Sequence, residues 1–123
     1  MKSVAILGAS KDRAKFGNKS LRAHAAAGYE VFPIHPRETE IEGLTAYPSL
    51  AALPHAVERI SVYLAPAVGK ALLPEIAQSG AQEVWFNPGA ADHELLDEAR
   101  RLGIPAIDGC SIVDLGLQPS DFP

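Results

Sequence analysis

Short apolar runs recur at fairly even intervals along the chain: Ser3 to Leu7 (SVAIL), Glu30 to Ile34 (EVFPI), Ile60 to Leu64 (ISVYL), Glu83 to Phe86 (EVWF) and Ala106 to Ile107, the last preceded by Ile104-Pro105. Each is too short for a helix and rich in Val, Ile or aromatic residues, the pattern of buried strands. The segments between them carry helical periodicity. Asn18 to Ala27 is Ala-rich and stops at Gly28, where a left-handed C-cap is expected. Val68, Leu72 and Ile76 repeat every four residues before Gly80, with Pro74 set to kink that helix or to start its second half. Leu95, Leu96, Ala99 and Leu102 share a face before Gly103, and Pro48-Ser49-Leu50 opens a shorter turn, with Ser49 as its N-cap, that closes at Pro54.

Strand and helix therefore alternate, which calls for parallel strands with helices on both faces. The expected class is α/β: a Rossmann-like, doubly wound three-layer sandwich around a five-stranded parallel sheet. Right-handed crossovers lead to the strand order 3-2-1-4-5, with a topological switch point between strands 1 and 4 where ligands bind. The loops at the carboxyl ends of the strands are then Gly8 to Asn18, His35 to Arg37, Ala65 to Val68, Asn87 to Ala90 and Asp108 to Ser111.

Size adds one constraint. With 123 residues, 47% of them hydrophobic, the chain suffices for one packed domain over residues 1–123 and is too short for two. No run approaches a membrane span, and Met1-Lys2 leads into a strand and not a signal peptide, so a cytoplasmic protein is expected. The lone Cys110 excludes an internal disulfide and suits a reducing compartment.

Charge changes the picture more. Lys11, Arg13, Lys15, Lys19 and Arg22 place five of the eleven basic residues within twelve positions, whereas residues 62–123 carry three basic and nine acidic side chains. The net charge is −4, which argues against nucleic acid as partner and for a small anion held at one point. A solvated helix face is the other reading of the same cluster.

The first loop, Leu7 to Lys19 (LGASKDRAKFGNK), resembles a dinucleotide-binding turn with substitutions. Ser10 and Arg13 stand where G-x-G-x-x-G has its second and third glycines, and the next glycine is Gly17. That makes a longer loop. Ser10 offers a hydroxyl and an N–H, a helix starting near Gly17-Asn18 offers free amides, and Lys11, Arg13 and Lys15 offer charge. At the end of the second strand, Pro33-Ile34-His35-Pro36-Arg37 has no acid at its tip for a ribose hydroxyl; its two prolines form an edge for an adenine. Arg37 suits an extra ribose phosphate, the 3′-phosphate of coenzyme A or the 2′-phosphate of NADP.

Taken in order, Gly8-x-Ser10 with Gly17, the P-x-H-P-R turn, Tyr47-Pro48-Ser49-Leu50 leading to Leu53-Pro54, Ala65-Pro66, Trp85 to Gly89 (WFNPG) and Asp108-Gly109-Cys110 resemble the small stand-alone CoA-binding domain proteins, whose fold is also that of the N-terminal domain of the succinyl-CoA synthetase α subunit. The resemblance runs from about Ser3 to Val113. It implies that the pyrophosphate of CoA or an acyl-CoA lies over Gly8, Ala9, Ser10, Arg13 and the turn Lys15, Phe16, Gly17 and Asn18. The adenosine end would meet His35, Pro36 and Arg37, with Leu64, Ala65 and Pro66 on the other side and Asn87 and Pro88 along the pantetheine arm. Two departures stand out: His35 replaces an Asn common among relatives, and the synthetase's second domain with its phosphorylated histidine is absent. A CoA-binding module without a complete catalytic site is therefore expected. An NADP-dependent enzyme or enzyme component and an interaction domain with a vestigial pocket are the alternatives, and a homodimer or an enzyme partner is compatible with each.

Other chemistry is sparse. His24, His35, His55 and His93 lack metal-ligand spacing, and Asp108 and Asp114 flank the last strand without a defined role. Cys110, beyond the fifth strand, is a structural thiol or a neighbour of the CoA thiol, able to form a mixed disulfide under oxidation.

Overall fold

The first apolar run becomes β1 (Ser3–Leu7), all of it buried. A strand covered on both faces has no wet side, which is why its sequence does not alternate. The computed structural model describes residues 2–123. After β1 come α1 (Phe16–Ala26), β2 (Glu30–Ile34), a hairpin of β3 (Glu40–Ile41) and β4 (Leu44–Thr45), a 3₁₀ turn at Leu50–Ala52, β5 (Arg59–Val62), α2 (Pro66–Gln78), β6 (Glu83–Phe86), α3 (His93–Arg101), β7 (Ala106–Asp108), α4 (Ser111–Asp114) and a 3₁₀ turn at Pro119–Asp121.

The fold is α/β and Rossmann-like, with five parallel strands ordered β2-β1-β5-β6-β7. The expected order 3-2-1-4-5 is thereby corrected to 2-1-3-4-5: the third parallel strand, β5, lies beside β1 and not beyond β2. The outer edge of β2 is already taken. Tyr47 N–H donates to the Pro33 carbonyl and His35 N–H to the Tyr47 carbonyl, both at 2.9 Å, making a single parallel bridge between Ile34 and Tyr47. The connection from β2 to β5 contains only the hairpin and a 3₁₀ turn, so it has no helix with which to build a right-handed crossover on that edge. The switch point accordingly falls between the first and third parallel strands.

α1, α4 and the last 3₁₀ turn pack on one face of the sheet, and α2 and α3 pack together on the other. The α2–α3 side is apolar, built on Ile60, Val62, Leu73, Ile76, Val84, Phe86, Leu95 and Ala99. Pro66 opens α2 where a missing N–H costs nothing, and the helix continues to Gln78 with Pro74 on its exposed side. Its buried positions are Gly69, Leu73 and Ile76, so of the repeat Val68, Leu72 and Ile76 only the last is buried, and Val68 is 53% exposed. Asp92 caps α3 by accepting from Leu95 N–H at 2.8 Å, whereas Ser49 makes no cap bond.

The α1 face is apolar only beneath β1 and β2, where Val4, Ile6, Leu21, Val31 and the hairpin's Ile41 meet. Under β5 and β6 it is polar. Arg59, 4% exposed, binds Glu83 at 2.9 Å and Asp114 at 2.6 Å, with its guanidinium carbon 5.4 and 5.2 Å from the ring centres of Tyr29 and Trp85. Higher on the same strands, the hydroxyls of Ser61 and Ser111 lie 2.7 Å apart; Asn87 Nδ2 donates to Ser61 Oγ at 2.9 Å, and Asn87 Oδ1 accepts from Ser111 N–H at 2.8 Å and Oγ at 3.1 Å. Donors and acceptors match around this closed ring, so it can be fully buried without an unpaired group.

Candidate functional site

At the carboxyl ends of β1, β2, β5 and β6, over the switch point, lies a cleft of about 690 Å³. The first loop walls it with Gly8, Ala9, Ser10 and Ala14 to Gly17; His35 enters from the end of β2, Tyr63, Leu64 and Ala65 from the end of β5, and Pro88, Gly89 and Ala90 from the end of β6. Two glycines set the first wall. Gly8 has φ +90°, and a Cβ on it would lie 2.9 Å from the Tyr63 carbonyl oxygen. A Cβ on Gly17 would lie 2.1 Å from the carbonyl oxygen of Gly8. Helix α1 thus starts directly against the end of β1, and Gly17 does the packing work of the third glycine in the dinucleotide turn.

Between these glycines the loop is held by its own polar groups. Ser10 Oγ accepts from Asp12 N–H and Asp12 Oδ1 from Ala14 N–H, each at 3.0 Å, and the hydroxyl hydrogen of Ser10 stays available for another acceptor. Asn18 is fully buried and ties the loop together: its Nδ2 donates to the Ser10 carbonyl at 2.9 Å and to Glu42 at 3.3 Å, and its Oδ1 accepts from Arg22 at 2.7 Å. Lys15 takes the N-cap position of α1 without a side-chain cap, and the first turn holds no acid. The Lys15 and Asn18 amides donate to the Asp12 and Lys15 carbonyls, each at 3.1 Å, and those of Phe16 and Gly17 are left without an acceptor among the described residues, a partly positive end at the cleft wall.

Most of the basic cluster is engaged within the protein. Lys11 pairs with Glu38 at 2.8 Å, and this hydrogen bond raises the lysine's pKa and lowers that of Glu38. Arg13 pairs with Glu42 at 3.6 Å, and Arg22 donates to the carbonyls of Arg13, Phe122 and Pro123. Glu42 adopts φ 51° in the hairpin turn, a conformation that side chains resist, and its carboxylate is held there by Asn18 and Arg13. Lys15 lines the cleft and makes no ion pair among the described residues.

At the β2 end, His35 Nδ1 accepts from the N–H groups of Arg37 at 3.0 Å and Glu38 at 2.9 Å. In the neutral ring the proton therefore resides on Nε2, and a cleft-lining imidazole that rigidifies its own turn has a donor to offer. Glu38, the first acid after the turn, reaches its carboxylate across to Lys11.

Ten of the residues expected from the sequence line the cleft: Gly8, Ala9, Ser10, Lys15, Phe16, Gly17, His35, Leu64, Ala65 and Pro88. Six lie beside or behind it. Arg13 is turned to Glu42, Asn18 and Asn87 are buried supports, Pro66 begins α2, and Pro36 and Arg37 are exposed on the turn after β2. Tyr63 also lines the cleft, as do Ala14, Gly89 and Ala90, which lie in loops expected at the strand ends but were not expected as contacts. Tyr63 was hidden inside the run ISVYL; β5 ends at Val62, which puts Tyr63 on the rim, its hydroxyl 3.2 Å from Ser111 Oγ and its pKa raised by burial. Among the described residues no three His, Cys, Asp or Glu side chains gather as a metal site, and no helix is long and apolar enough to cross a membrane.

Residues 2–116 match the family model described as the CoA binding domain. A curated relative, the ADP-forming acetate–CoA ligase I of Archaeoglobus fulgidus, is 25% identical over 120 residues, covering 86% of this chain and 17% of the ligase. The α subunit of the ADP-forming acetate–CoA ligase II of Pyrococcus furiosus is 30% identical over 86 residues, covering 68% of this chain and 18% of the subunit. The chain thus spans under a fifth of the length of these relatives. Among solved structures, a conserved hypothetical protein of Pyrococcus furiosus superposes with a TM-score of 0.83 at 34% identity, covering 93% of this chain and 99% of that one.

Proposed function

Since the chain belongs to the CoA binding domain family, we propose that the cleft binds coenzyme A or an acyl-CoA as a binding module. The observation that carries this is the contact of Gly8 and Gly17: it brings the uncapped start of α1 and the unpaired Lys15 to the same wall as Ser10. Backbone amides at a helix start together with one mobile cation make a cradle for a pyrophosphate. The donor set fits the group.

In this reading the pyrophosphate lies over Gly8, Ala9, Ser10 and the turn Lys15, Phe16, Gly17. Leu64 and Ala65 form the opposite wall, and Pro88 and Gly89 border the pantetheine arm. Asn18 and Asn87 act from behind, the first by fixing the Ser10 carbonyl and the second by anchoring the residues beneath Pro88. His35 offers its Nε2 proton to the adenosine end. Arg37, exposed and without an ion pair among the described residues, is free to meet the 3′-phosphate.

Isothermal titration tests it. CoA binds to the protein, dephospho-CoA binds more weakly, and Arg37→Ala removes most of that difference. Equal affinity for the two ligands refutes the role of Arg37, and tighter binding of NADP than of CoA refutes the reading as a whole.

A further inference from the structure

A second, smaller cavity lies on the α1–α4 side of the same rim. It holds about 130 Å³ and is walled by Phe16, Tyr63, Pro88, Cys110 and Pro119. Phe16, Tyr63 and Pro88 also wall the large cleft, so the two spaces share one partition. Their chemistry differs. The cleft has Lys15, His35, Ser10 and the start of α1, whereas no charged side chain lines the small cavity. Its one hydroxyl, that of Tyr63, is engaged by Ser111.

We infer that this cavity, equal to about four waters at roughly 30 Å³ each, receives the acyl group of a short-chain, uncharged acyl-CoA of roughly two to four carbons. The inference deepens the proposed reading of the cleft and rests on it. CoA is a ligand with one phosphate-rich end and one thioester end, and the two contiguous spaces divide in the same sense. The phosphates need the amides and Lys15; the far end needs an apolar compartment reached past Pro88, on the pantetheine side of the cleft. The absence of a cation in the lining selects against acyl groups that carry a second carboxylate, because a buried carboxylate without a partner is strongly disfavoured. Chains longer than the cavity must leave methylenes in water or displace the ring of Phe16.

The test is a titration series with free CoA, acetyl-, butyryl-, octanoyl- and succinyl-CoA. Affinity rises about tenfold from acetyl- to butyryl-CoA as methylenes are buried, and falls back to the level of free CoA or below for octanoyl- and succinyl-CoA. Cys110→Leu fills the cavity: it leaves the affinity for free CoA unchanged and abolishes the gain on acylation. Phe16→Ala, at a side chain already 57% exposed, keeps the fold intact if the leucine variant does not, and moves the preference to longer chains. Free CoA binding with no dependence on the acyl group overturns the cavity assignment and leaves the cleft reading standing. A rise that continues through octanoyl-CoA overturns it as well. Failure of every CoA species to bind overturns both.

Discussion

Gly17 sits so close to Gly8 that a Cβ added to it would lie 2.1 Å from the Gly8 carbonyl oxygen. The neighbour is backbone at the end of a central strand, so neither side can yield without moving β1 or α1. Gly17→Ala is expected to destabilise the fold by about 3 kcal/mol, at the upper end of overpacking costs. Gly28→Ala is the control: Gly28 has φ +88° and nothing within 4 Å of its added Cβ. It carries only the left-handed backbone penalty, about 1 kcal/mol. Urea unfolding of the two variants measures the difference, and equal losses would refute the steric argument.

His24 makes stability depend on pH. Burial, chiefly, lowers its pKa from the ordinary 6.5 to about 4, although its hydrogen bond to the Ser20 carbonyl favours the charged form. Its Nδ1–H donates to that carbonyl at 2.8 Å, and Nε2 faces Arg59 at 3.4 Å, with Asp114 and Glu83 on the far side of the guanidinium. Between these pH values the unfolded chain holds a proton that the folded one refuses. The folded state is therefore favoured in full above pH 6.5, loses this stabilisation as pH falls towards 4, and loses no more from this group below that. The full span corresponds to about 3 kcal/mol. Urea midpoints at pH 7.5, 5.5 and 4 should fall more steeply for the natural protein than for His24→Gln; parallel curves would rule out His24 as the source.

Lys15 carries the proposed electrostatic share of ligand binding, because Lys11 and Arg13 are matched by Glu38 and Glu42. Lys15→Gln should weaken CoA binding about fivefold, a modest loss because the side chain is exposed and screened. Lys11→Gln and Arg13→Gln should change it less, since neither side chain lines the cleft. Titrations at low and high salt check this: the glutamine at position 15 should flatten the salt dependence. A larger effect at position 11 or 13 would show that those ion pairs open for the ligand.

The alternation of strands and helices was legible in the sequence because each strand is a short run rich in Val, Ile, Ala or aromatic residues and each of the three longer helices is followed within two residues by a glycine. Strand order was not. It depends on which side of β1 the third strand enters, and that was decided by Tyr47 occupying the edge of β2, a long-range contact with no local signature. The cleft was legible in its loops for a related reason: Gly8, Ser10, Gly17 and Pro88 are adjacent to strand ends, where topology alone brings them together. What escaped was the use of individual polar groups. Asn18 and Asn87 have the right chemistry for a ligand and stand at the right ends of the elements, yet their amides satisfy the protein itself. Glu42 could not be foreseen as the partner of Arg13, since only the folding of the hairpin over the start of α1 joins them.

The ring of Asn87, Ser61 and Ser111 leads to a prediction about cooperativity. All three are essentially inaccessible to water, at 1%, 0% and 0% exposure. Asn87→Ala leaves Ser111 N–H without an acceptor and takes one donor from the Ser61 hydroxyl, which keeps only Ser111 Oγ, and a buried unmatched polar group costs about 1–3 kcal/mol. Ser111→Ala breaks the same circuit at a different point, removing one of two donors to Asn87 Oδ1 and the hydroxyl that meets Ser61 and Tyr63. Once one member is gone, the others have already lost their matched arrangement, so the second substitution should cost less than it does alone. A double-mutant cycle by urea unfolding should give a coupling of about 1 kcal/mol or more between positions 87 and 111. Additive losses would mean that each hydrogen bond acts independently and that the closed circuit confers nothing beyond its parts.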